Sequence, residues 1–561
     1  MTFSDTFAVR NHQSSHMHSI ITSCLPILTT LFLSAPPSDE PVTATPDSIP
    51  EQILEEVVVK ARRPQVIVTP EKISFNPSAT LAGSNGTLYD ALSSMPGVSV
   101  NGSTISAFGQ SGVTLTVDGR KFMLQGNALE SYLKSLPVSN IERIELVTAP
   151  AARSDASSSS TVLNVKLRRT RQAGMTFGAS ANLQGWRARR GLGTAFFNYS
   201  NARTSVMLSA AYALSRNPSV LLTDRPYLDG DLRILQTYHR YRTDRNKNTS
   251  VYIDHNFSGR WSGGLSFSGN RFNRSECGLM DTRLSDDSRG NHTVNHTRLG
   301  SSNLSGGLYL KDTFEDHRGN LSIGFDYFSS CNDESQDISD TFGTATEGEM
   351  NGSVRGYITT VDFTRQLSEP WFLSAGAKST ILRIGNEGNY NESGGGDDDL
   401  SSRFRGHENV NAIYMESRFA PAPVLALTAG IRLEQTNVRN RFSGNETSGQ
   451  SDFSRHSAGI FCNVNLSSRL TDRDAVMLSY VRRVKRPDYS DLNPFVYIMD
   501  DITHYGGNIN LREATSDNFR LVYTRDNLLR CGLSYSYINN DIVRFFREVA
   551  GKTVYSSPEN I

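Results

Sequence analysis

From residue 174 onward, apolar residues alternate with small, polar or charged residues, which is the period of β-strands. Residues 321–327 (LSIGFDY) show this alternation, and residues 425–434 (LALTAGIRLE) repeat it with Arg432 and Glu434 on the polar side. Each such segment is about ten residues long, as in strands that face lipid on one side and a polar lumen on the other. A soluble sandwich also alternates, but its loops are shorter.

The connections between these segments alternate in length. Short turns at 201–203 and 258–259 are interleaved with long polar stretches at 273–298, 331–352 and 386–407. We expect the long stretches to be extracellular loops, because outer-membrane barrels have short periplasmic turns and longer outer loops. The spacing predicts about 15 or 16 strands in a large antiparallel transmembrane β-barrel over residues 170–561.

Residues 53–169 combine helical and strand periodicity, which predicts a small α/β domain. Apolar residues recur at helical spacing over 88–95 and end at Pro96-Gly97, a helix terminator. Further apolar positions predict a second helix at 129–136 and strands at 144–146 and 163–167. Ser139 and Glu142 have the spacing of a capping box.

The same domain contains a hairpin signal. Alternation over 113–117 is followed by Asp118 and Gly119, a favoured pair for a two-residue turn. Asp118, Gly119 and Arg120 therefore predict a hairpin turn, and we interpret Arg120 as a partner of the barrel wall rather than as part of a ligand site.

The N-terminus has the pattern of a secretory signal. Residues 20–35 are largely apolar and end in small residues, which predicts a signal peptide over residues 1–35. A buried helix or an incorrect start is the alternative. Residues 36–52 contain five prolines and predict a flexible leader.

Composition excludes several classes. Lys+Arg and Asp+Glu are both 57, so the chain lacks the basic field of a typical nucleic-acid-binding protein. No stretch after residue 36 has eighteen consecutive apolar residues, which excludes a polytopic helical membrane protein. The five cysteines are scattered and indicate neither a disulfide scaffold nor a zinc site.

Catalytic and metal motifs are missing from the sequence, which has no G-x-S-x-G, H-E-x-x-H or P-loop pattern. Residues 397–399 form an acidic run that lacks the spaced ligands of a calcium loop. His292 and His296 lie in a predicted loop with no helix to align them. We therefore expect no enzyme activity, no cofactor and no metal site.

Several motifs carry a family resemblance. Four segments resemble, in order and spacing, the plug domain of TonB-dependent outer-membrane receptors, and within that group the outer-membrane β-barrel family: LYDALSSMPGVSV, VTLTVDGRKFMLQG, YLKSLPVSNIERIELVTAPAARSDA and TVLNVKLRR. One departure follows Asp155, where Ala156 and four serines replace the family's glycine-containing residues.

A second signature lies in the barrel region. Residues 480–495 resemble a motif of the same family, which includes Arg486, Pro487, Leu492, Asn493, Pro494 and Phe495. The basic residues of this segment suggest either an anion site or a structural run that lines the lumen, and we favour the second interpretation.

The resemblance implies an N-terminal plug domain, at residues 53–169, inside a barrel that has 22 strands in the family. Fewer strands are expected here, and the chain ends in polar residues 556–561, which look turn-like, rather than in an alternating strand with a terminal aromatic. We expect a chain that is truncated at its C-terminus, and a barrel that closes with fewer strands is the alternative.

Residues 55–61 precede the predicted domain. Three consecutive valines after two acidic residues are suited to strand addition on another protein's sheet, although an ordinary first strand is the alternative. The resemblance implies a TonB box that contacts the inner-membrane energy transducer, formed by Glu55, Glu56, Val57, Val58, Val59, Lys60 and Ala61.

The function implied by the resemblance is energised uptake, through plug movement, of a scarce extracellular ligand of the siderophore, glycan or peptide class. The expected location is the outer membrane of a Gram-negative bacterium. Expected partners are a TonB-type transducer, outer-membrane lipid, the small ligand and a surface lipoprotein, but no nucleic acid. The alternatives are a passive surface-binding or assembly protein and a nonfunctional truncated receptor.

Overall fold

The computed structural model describes residues 65–69, 72–79, 86–102, 104–108, 110–111, 113–117, 120–121, 129–130, 133–134, 136–138, 141–147, 152, 155–156, 161–167, 174–185, 189–226, 233–284, 290–393, 401–422, 424–444, 450–492, 497–498, 503–526, 528–549 and 553–561. The predicted signal peptide (1–35), proline-rich leader (36–52) and TonB-box-like segment (55–61) lie outside these residues. Within the described part of the chain, no helix has the length and apolarity needed to cross a membrane.

Among the described residues, the N-terminal domain contains nine short strands, one 3-10 turn at Pro77–Ala79 and helix α1, and residues 129–130 and 133–134 of the predicted second helix are helical. Their bounds are β1 Val66–Val68, β2 Lys72–Phe75, α1 Leu88–Ser93, β3 Val98–Asn101, β4 Thr104–Ala107, β5 Gln110–Ser111, β6 Thr114–Val117, β7 Arg120–Lys121, β8 Ile141–Val147 and β9 Val162–Leu167. One sheet has the order β1-β2-β8-β9-β6-β7 and a second has the order β3-β4-β5. Only the β6–β9 pair is parallel among the described pairs of these sheets.

Apolar periodicity explains how this domain is packed. Leu88 and Leu92, one turn apart on α1, are fully buried against Ile144 of β8 and Leu163 of β9 within one core. The structure confirms the predicted helix, the two strands and the hairpin, in which Val117 pairs with Arg120. The predicted capping box is wrong, because Glu142 lies within strand β8.

Within the described residues, the larger sheet has fifteen strands, in agreement with the predicted number. Their bounds are β10 Gly174–Gly185, β11 Arg189–Ser200, β12 Thr204–Pro226, β13 Arg233–Asn256, β14 Trp261–Leu284, β15 Gly290–Thr313, β16 Gly319–Asp340, β17 Ala345–Ser368, β18 Trp371–Ser393, β19 Ser402–Ala422, β20 Leu425–Gly444, β21 Gln450–Arg469, β22 Asp474–Lys485, β25 Ala514–Arg525 and β26 Leu529–Asn539. All neighbours in this sheet, which we call the barrel wall, are antiparallel.

The wall has the predicted alternation of faces. On β20, Ile431 and Leu433 are 42% and 41% exposed, whereas Arg432 and Glu434 between them are 2% and 3% exposed. An exposed apolar face and an enclosed polar face are what a strand needs between lipid and a polar interior.

The predicted long loops are wrong in extent. β14 continues to Leu284 and β15 begins at Gly290, so most of 273–298 belongs to a ladder in which Asn273 pairs with Gly300. Residues 331–352 and 386–407 likewise lie mainly in strands. Because the ladder is formed by backbone groups, polar residues can extend a strand where both faces meet water.

A smaller sheet follows the helical turn α2, Tyr489–Leu492. It contains β23 Tyr497–Ile498, β24 Thr503–Tyr505, β27 Ile542–Val549 and β28 Thr553–Asn560, in the order β23-β24-β28-β27. The final polar residues, which look turn-like in the sequence, lie in β28 and pair with β27.

Candidate functional site

The segment that joins β8 to β9 contacts the inner face of the barrel wall. Lys378 Nζ on β18 lies 2.8 and 3.0 Å from the carboxylate oxygens of Asp155, and Arg432 on β20 lies 3.3 Å from one of them. All three side chains are largely enclosed. Two cations from separate strands therefore hold one carboxylate of the N-terminal domain.

Two carboxylates of the wall bind the backbone of the same segment. The amide of Ala152 donates to Glu416 Oε2 at 2.7 Å, and the amide of Ala156 donates to Glu434 Oε1 at 3.1 Å. Buried amides require a partner, and neither of these two amides donates within a strand ladder. We call Ala152, Asp155 and Ala156 the contact loop.

A buried charge network supports this contact. Glu434 accepts from Arg432 Nε at 2.6 Å and from Arg486 Nη2 at 2.8 Å. Arg486 also donates to Thr436 Oγ1 at 2.9 Å and lies 3.6 Å from Glu408. Because each charge has an opposite charge beside it, the network can remain ionised away from bulk water.

The contact loop also meets the backbone of β22. The amide of Val484 donates to the carbonyl oxygen of Ala156 at 2.9 Å, and Arg483 Nη1 donates to the carbonyl oxygen of Asp155 at 3.3 Å. Ala156, Val484 and Phe461 form a small apolar cluster. The loop thus occupies a position beside β22 that a neighbouring strand would otherwise take.

A second polar contact lies at Glu130 of the N-terminal domain. Its carboxylate binds Lys134 at 2.6 Å, Arg242 of β13 at 3.2 Å and Arg274 of β14 at 3.8 Å. Asp244 joins the same two arginines at 3.0 and 2.9 Å. Burial raises the pKa of Glu130, but Lys134 and Arg242 outweigh burial and hold that pKa below its ordinary value.

A third contact involves the start of α1. Asp90 accepts from the amide and hydroxyl of Thr87, each at 2.8 Å, and Arg190 of β11 binds both residues at 3.1 Å. Burial raises the pKa of Asp90, but Arg190 and the hydrogen bonds of Thr87 outweigh it and lower that pKa. Arg530 of β26 adds a bond to the carbonyl of Thr69.

The predicted site residues are only partly described. Arg120 lies in β7, and Asp118 and Gly119 lie outside the described residues, as do Asn493, Pro494 and Phe495. Arg486 belongs to the charge network described above. Pro487, the next residue in the sequence, is buried. Leu492 is the last residue of α2 and belongs to an apolar cluster. The roles assigned to these residues remain predictions.

The basic run of this segment divides between two environments. Arg483 and Arg486 are enclosed and face the contact loop or Glu434. Arg482 lies 3.8 Å from Asp517, and Lys485 lies 3.1 Å from Asp541, both at more exposed positions. The run therefore does not converge on one anion.

Sequence reasoning missed most residues of the contact: Lys378, Glu408, Glu416 and Thr436. Arg432 and Glu434 could have been predicted as interior residues, because both are charged and lie on the enclosed side of an alternating strand. In the described part of the chain, no group of three or more His, Cys, Asp or Glu side chains could hold a metal ion.

Comparison with protein families gives two matches. Residues 69–162 match the TonB-dependent receptor plug domain, and residues 312–561 match the outer membrane protein beta-barrel family. Comparison with curated proteins gives no significant match.

Solved structures with a similar fold include three receptors. The ferric yersiniabactin uptake receptor FyuA of Yersinia pestis has a TM-score of 0.56 and 12% identity, over 86% of this chain and 73% of that one. The ferric enterobactin receptor PfeA of Pseudomonas aeruginosa has a TM-score of 0.57 and 16% identity, over 88% of this chain and 77% of that one. The alcaligin outer-membrane receptor FauA of Bordetella pertussis has a TM-score of 0.51 and 14% identity, over 88% of this chain and 75% of that one.

Proposed function

From the premise that this chain is an outer-membrane protein with the plug domain and β-barrel of TonB-dependent receptors, we propose that it takes up an extracellular ligand by energised movement of the plug. The ligand binds at the outer mouth of the barrel. An inner-membrane transducer of the TonB type then pulls on the plug through residues 55–61.

The observation that carries this proposal is the polar character of the contact between plug and wall. Asp155, Glu130 and Asp90 each bind basic side chains of the wall, and the backbone of the contact loop binds Glu416 and Glu434. Water can replace such partners, so the net free energy of each of these hydrogen bonds to a charged group is only about 1.5–3 kcal/mol. A contact of this kind holds the plug in place and can still be released.

The position of residues 55–61 supports their role. They lie immediately before the domain whose first described strand begins at Val66. An extended segment that adds to a sheet edge binds through its backbone, which allows it to bear a pull along the chain.

Ferric siderophores are the first ligands to test, because the three similar structures include receptors for ferric yersiniabactin and ferric enterobactin. At these low identities, the similarity shows a shared fold but does not identify the ligand. Glycans and peptides should therefore be tested in the same assay. A surface lipoprotein that copurifies with the protein would favour the glycan or peptide class.

Deletion of residues 55–61 tests the mechanism. We expect it to abolish uptake of a radiolabelled ligand and to leave binding of that ligand to whole cells unchanged, because the outer mouth is not altered. A matched deletion of residues 38–44 in the proline-rich leader serves as the control and should transport normally. Uptake that survives the first deletion would contradict the proposal and favour a passive binding protein.

A further inference from the structure

The barrel wall has an interruption between β21 and β22. β21 pairs with β20 along nearly its whole length, from Gln450 to Ser468, but with β22 only from Asn463 to Arg469. β22 meanwhile continues to pair with β25 as far as Lys485. Among the described residues, 450–461 have no strand partner other than β20.

The register of the existing ladder identifies the missing pairs. Asn463 pairs with Val481 and Leu466 with Leu478, so a continued ladder would place Ile460 opposite Val484. At the start of this hairpin the amide of Leu470 donates to the carbonyl of Asp474, which assigns the even-numbered residues to the hydrogen-bonded pairs. In a continued ladder, the amide of Val484 would therefore donate to the carbonyl of Ile460.

In the structure, the amide of Val484 is already hydrogen-bonded to the contact loop. Val484 donates to Ala156 at 2.9 Å, and Ala156 packs between Val484 and Phe461, at the point where the two strands separate. A cavity of about 410 Å³ lies in the interruption, lined by Glu434, Gly459, Ile460, Arg482 and Arg486 among others. Its lining includes exposed Ile460 as well as enclosed Glu434.

We propose that the plug and β21 compete for the same edge of β22. With the contact loop docked, the amide of Val484 is bonded to Ala156 and the wall is held open between β21 and β22. When the loop leaves, residues 458–462 pair with residues 482–486 and close the wall. This inference rests on the plug movement of the proposed function.

The exchange has a small energetic cost because one backbone bond replaces another. The amide of Val484 has a partner in both states, and closure gives the amide of Ile460 a partner on β22. The free edge of β21 exists only while the loop is docked. Closure also removes an unpaired strand edge, which barrels normally avoid.

Cysteine pairs test this competition in the purified full-length protein, with all five native cysteines replaced by serine. Ile460→Cys with Val484→Cys reports closure, because a disulfide needs Cα atoms about 4.4–6.8 Å apart. Leu466→Cys with Leu478→Cys is the matched control, since it has the same hydrogen-bonded register within the existing ladder. The contact loop is loosened by Asp155→Ala together with Glu416→Gln.

We expect the control pair to oxidise at the same rate with and without the loosening substitutions. The 460–484 pair should oxidise much more slowly than the control when the loop is docked, and should approach the control rate when the loop is loosened. Equal rates for both pairs with the loop docked would overturn the inference, because the strands would already be adjacent.

Hydrogen exchange supplies a readout that does not need the introduced cysteines. In the loosened protein, peptides covering 152–156 should lose protection, whereas peptides covering 458–462 should gain it. Lost protection at 152–156 without a gain at 458–462 would also overturn the inference. Neither measurement involves the transducer, so a failure here leaves the deletion of residues 55–61 as a separate test of uptake.

Discussion

Glu434 links the plug to the buried charge network of the wall. Its carboxylate bonds to Arg432, to Arg486 and to the amide of Ala156, and the residue is only 3% exposed. Removal of one member of a buried ion network leaves uncompensated charge, which costs more than the lost contact itself. Substitution of Glu434 should therefore destabilise the protein mainly because Arg432 and Arg486 lose their carboxylate partner.

We predict that Glu434→Ala lowers the free energy of unfolding by about 3–5 kcal/mol, as expected when a buried charge pair loses one partner. Asp452→Ala is the matched control, because its pair with Arg441 is more than half exposed on both sides and should contribute under about 1 kcal/mol. Urea unfolding in detergent measures both variants. Similar losses in the two variants would contradict the assigned role of the network.

The partners of Asp155 show why these residues could not be predicted together. Lys378 and Arg432 lie 223 and 277 residues away in the sequence. Alternation indicated that Arg432 and Glu434 face inward, but it does not specify which plug residue lies opposite them. That pairing depends on the register of many strands and on the position of the whole plug.

At the scale of elements, α1 was predictable because its signal is local. Its apolar residues recur with the helical period, and the helix ends before Pro96. The start of α1 was not identified, although Thr87 and Asp90 bind each other there. Ser139 and Glu142 have a similar spacing, but Glu142 belongs to a strand whose buried pattern determines its conformation.

We predict that Thr87→Ala destabilises the plug by about 0.5–2 kcal/mol, the range for loss of a helix-capping side chain. The hydroxyl of Thr87 bonds to Asp90 and to Arg190, so its loss weakens both the helix start and a contact with the wall. Hydrogen exchange of residues 86–95 measures the effect. Thr87→Ser retains the hydroxyl and should behave like the native protein, and a loss equal to that of alanine would contradict this explanation.

The strands of the wall were predictable only where lipid imposes an apolar face. Within that band, alternate side chains must be apolar, as at Ile431 and Leu433. Beyond it, both faces meet water and polar residues can follow one another, as over 332–337. Polarity alone predicts a loop, whereas the backbone ladder continues.

At the scale of the whole molecule, attachment of the plug depends on carboxylates that stay ionised. The pKa values of Asp90 and Glu130 lie below their ordinary values of 3.8 and 4.5. A carboxyl group whose pKa is lowered by folding stabilises the folded state above its ordinary pKa. That stabilisation disappears as the pH falls through the lowered value.

We predict that the plug remains attached at neutral pH and loses stability as the pH falls below about 4. Pulsed hydrogen exchange at a series of pH values measures protection of residues 88–93 and 141–147. The outer strands of the wall should retain their protection over the same range. The Asp90→Asn variant lacks this carboxylate, so acid should lower the stability of its plug by less than in the native protein. A pH profile identical to that of the native protein would exclude Asp90 as a source of the acid sensitivity.

The length of the strands has a consequence for where a ligand is first met. β13, β14 and β15 each contain 24 residues, which span roughly 80 Å along a strand and about 60 Å of height at a tilt near 40°. Hydrocarbon accounts for about 25 Å of that height, so roughly 35 Å of wall projects from the membrane. The mouth of the barrel therefore opens well beyond the hydrocarbon of the bilayer, so that a solute meets protein before it meets the membrane.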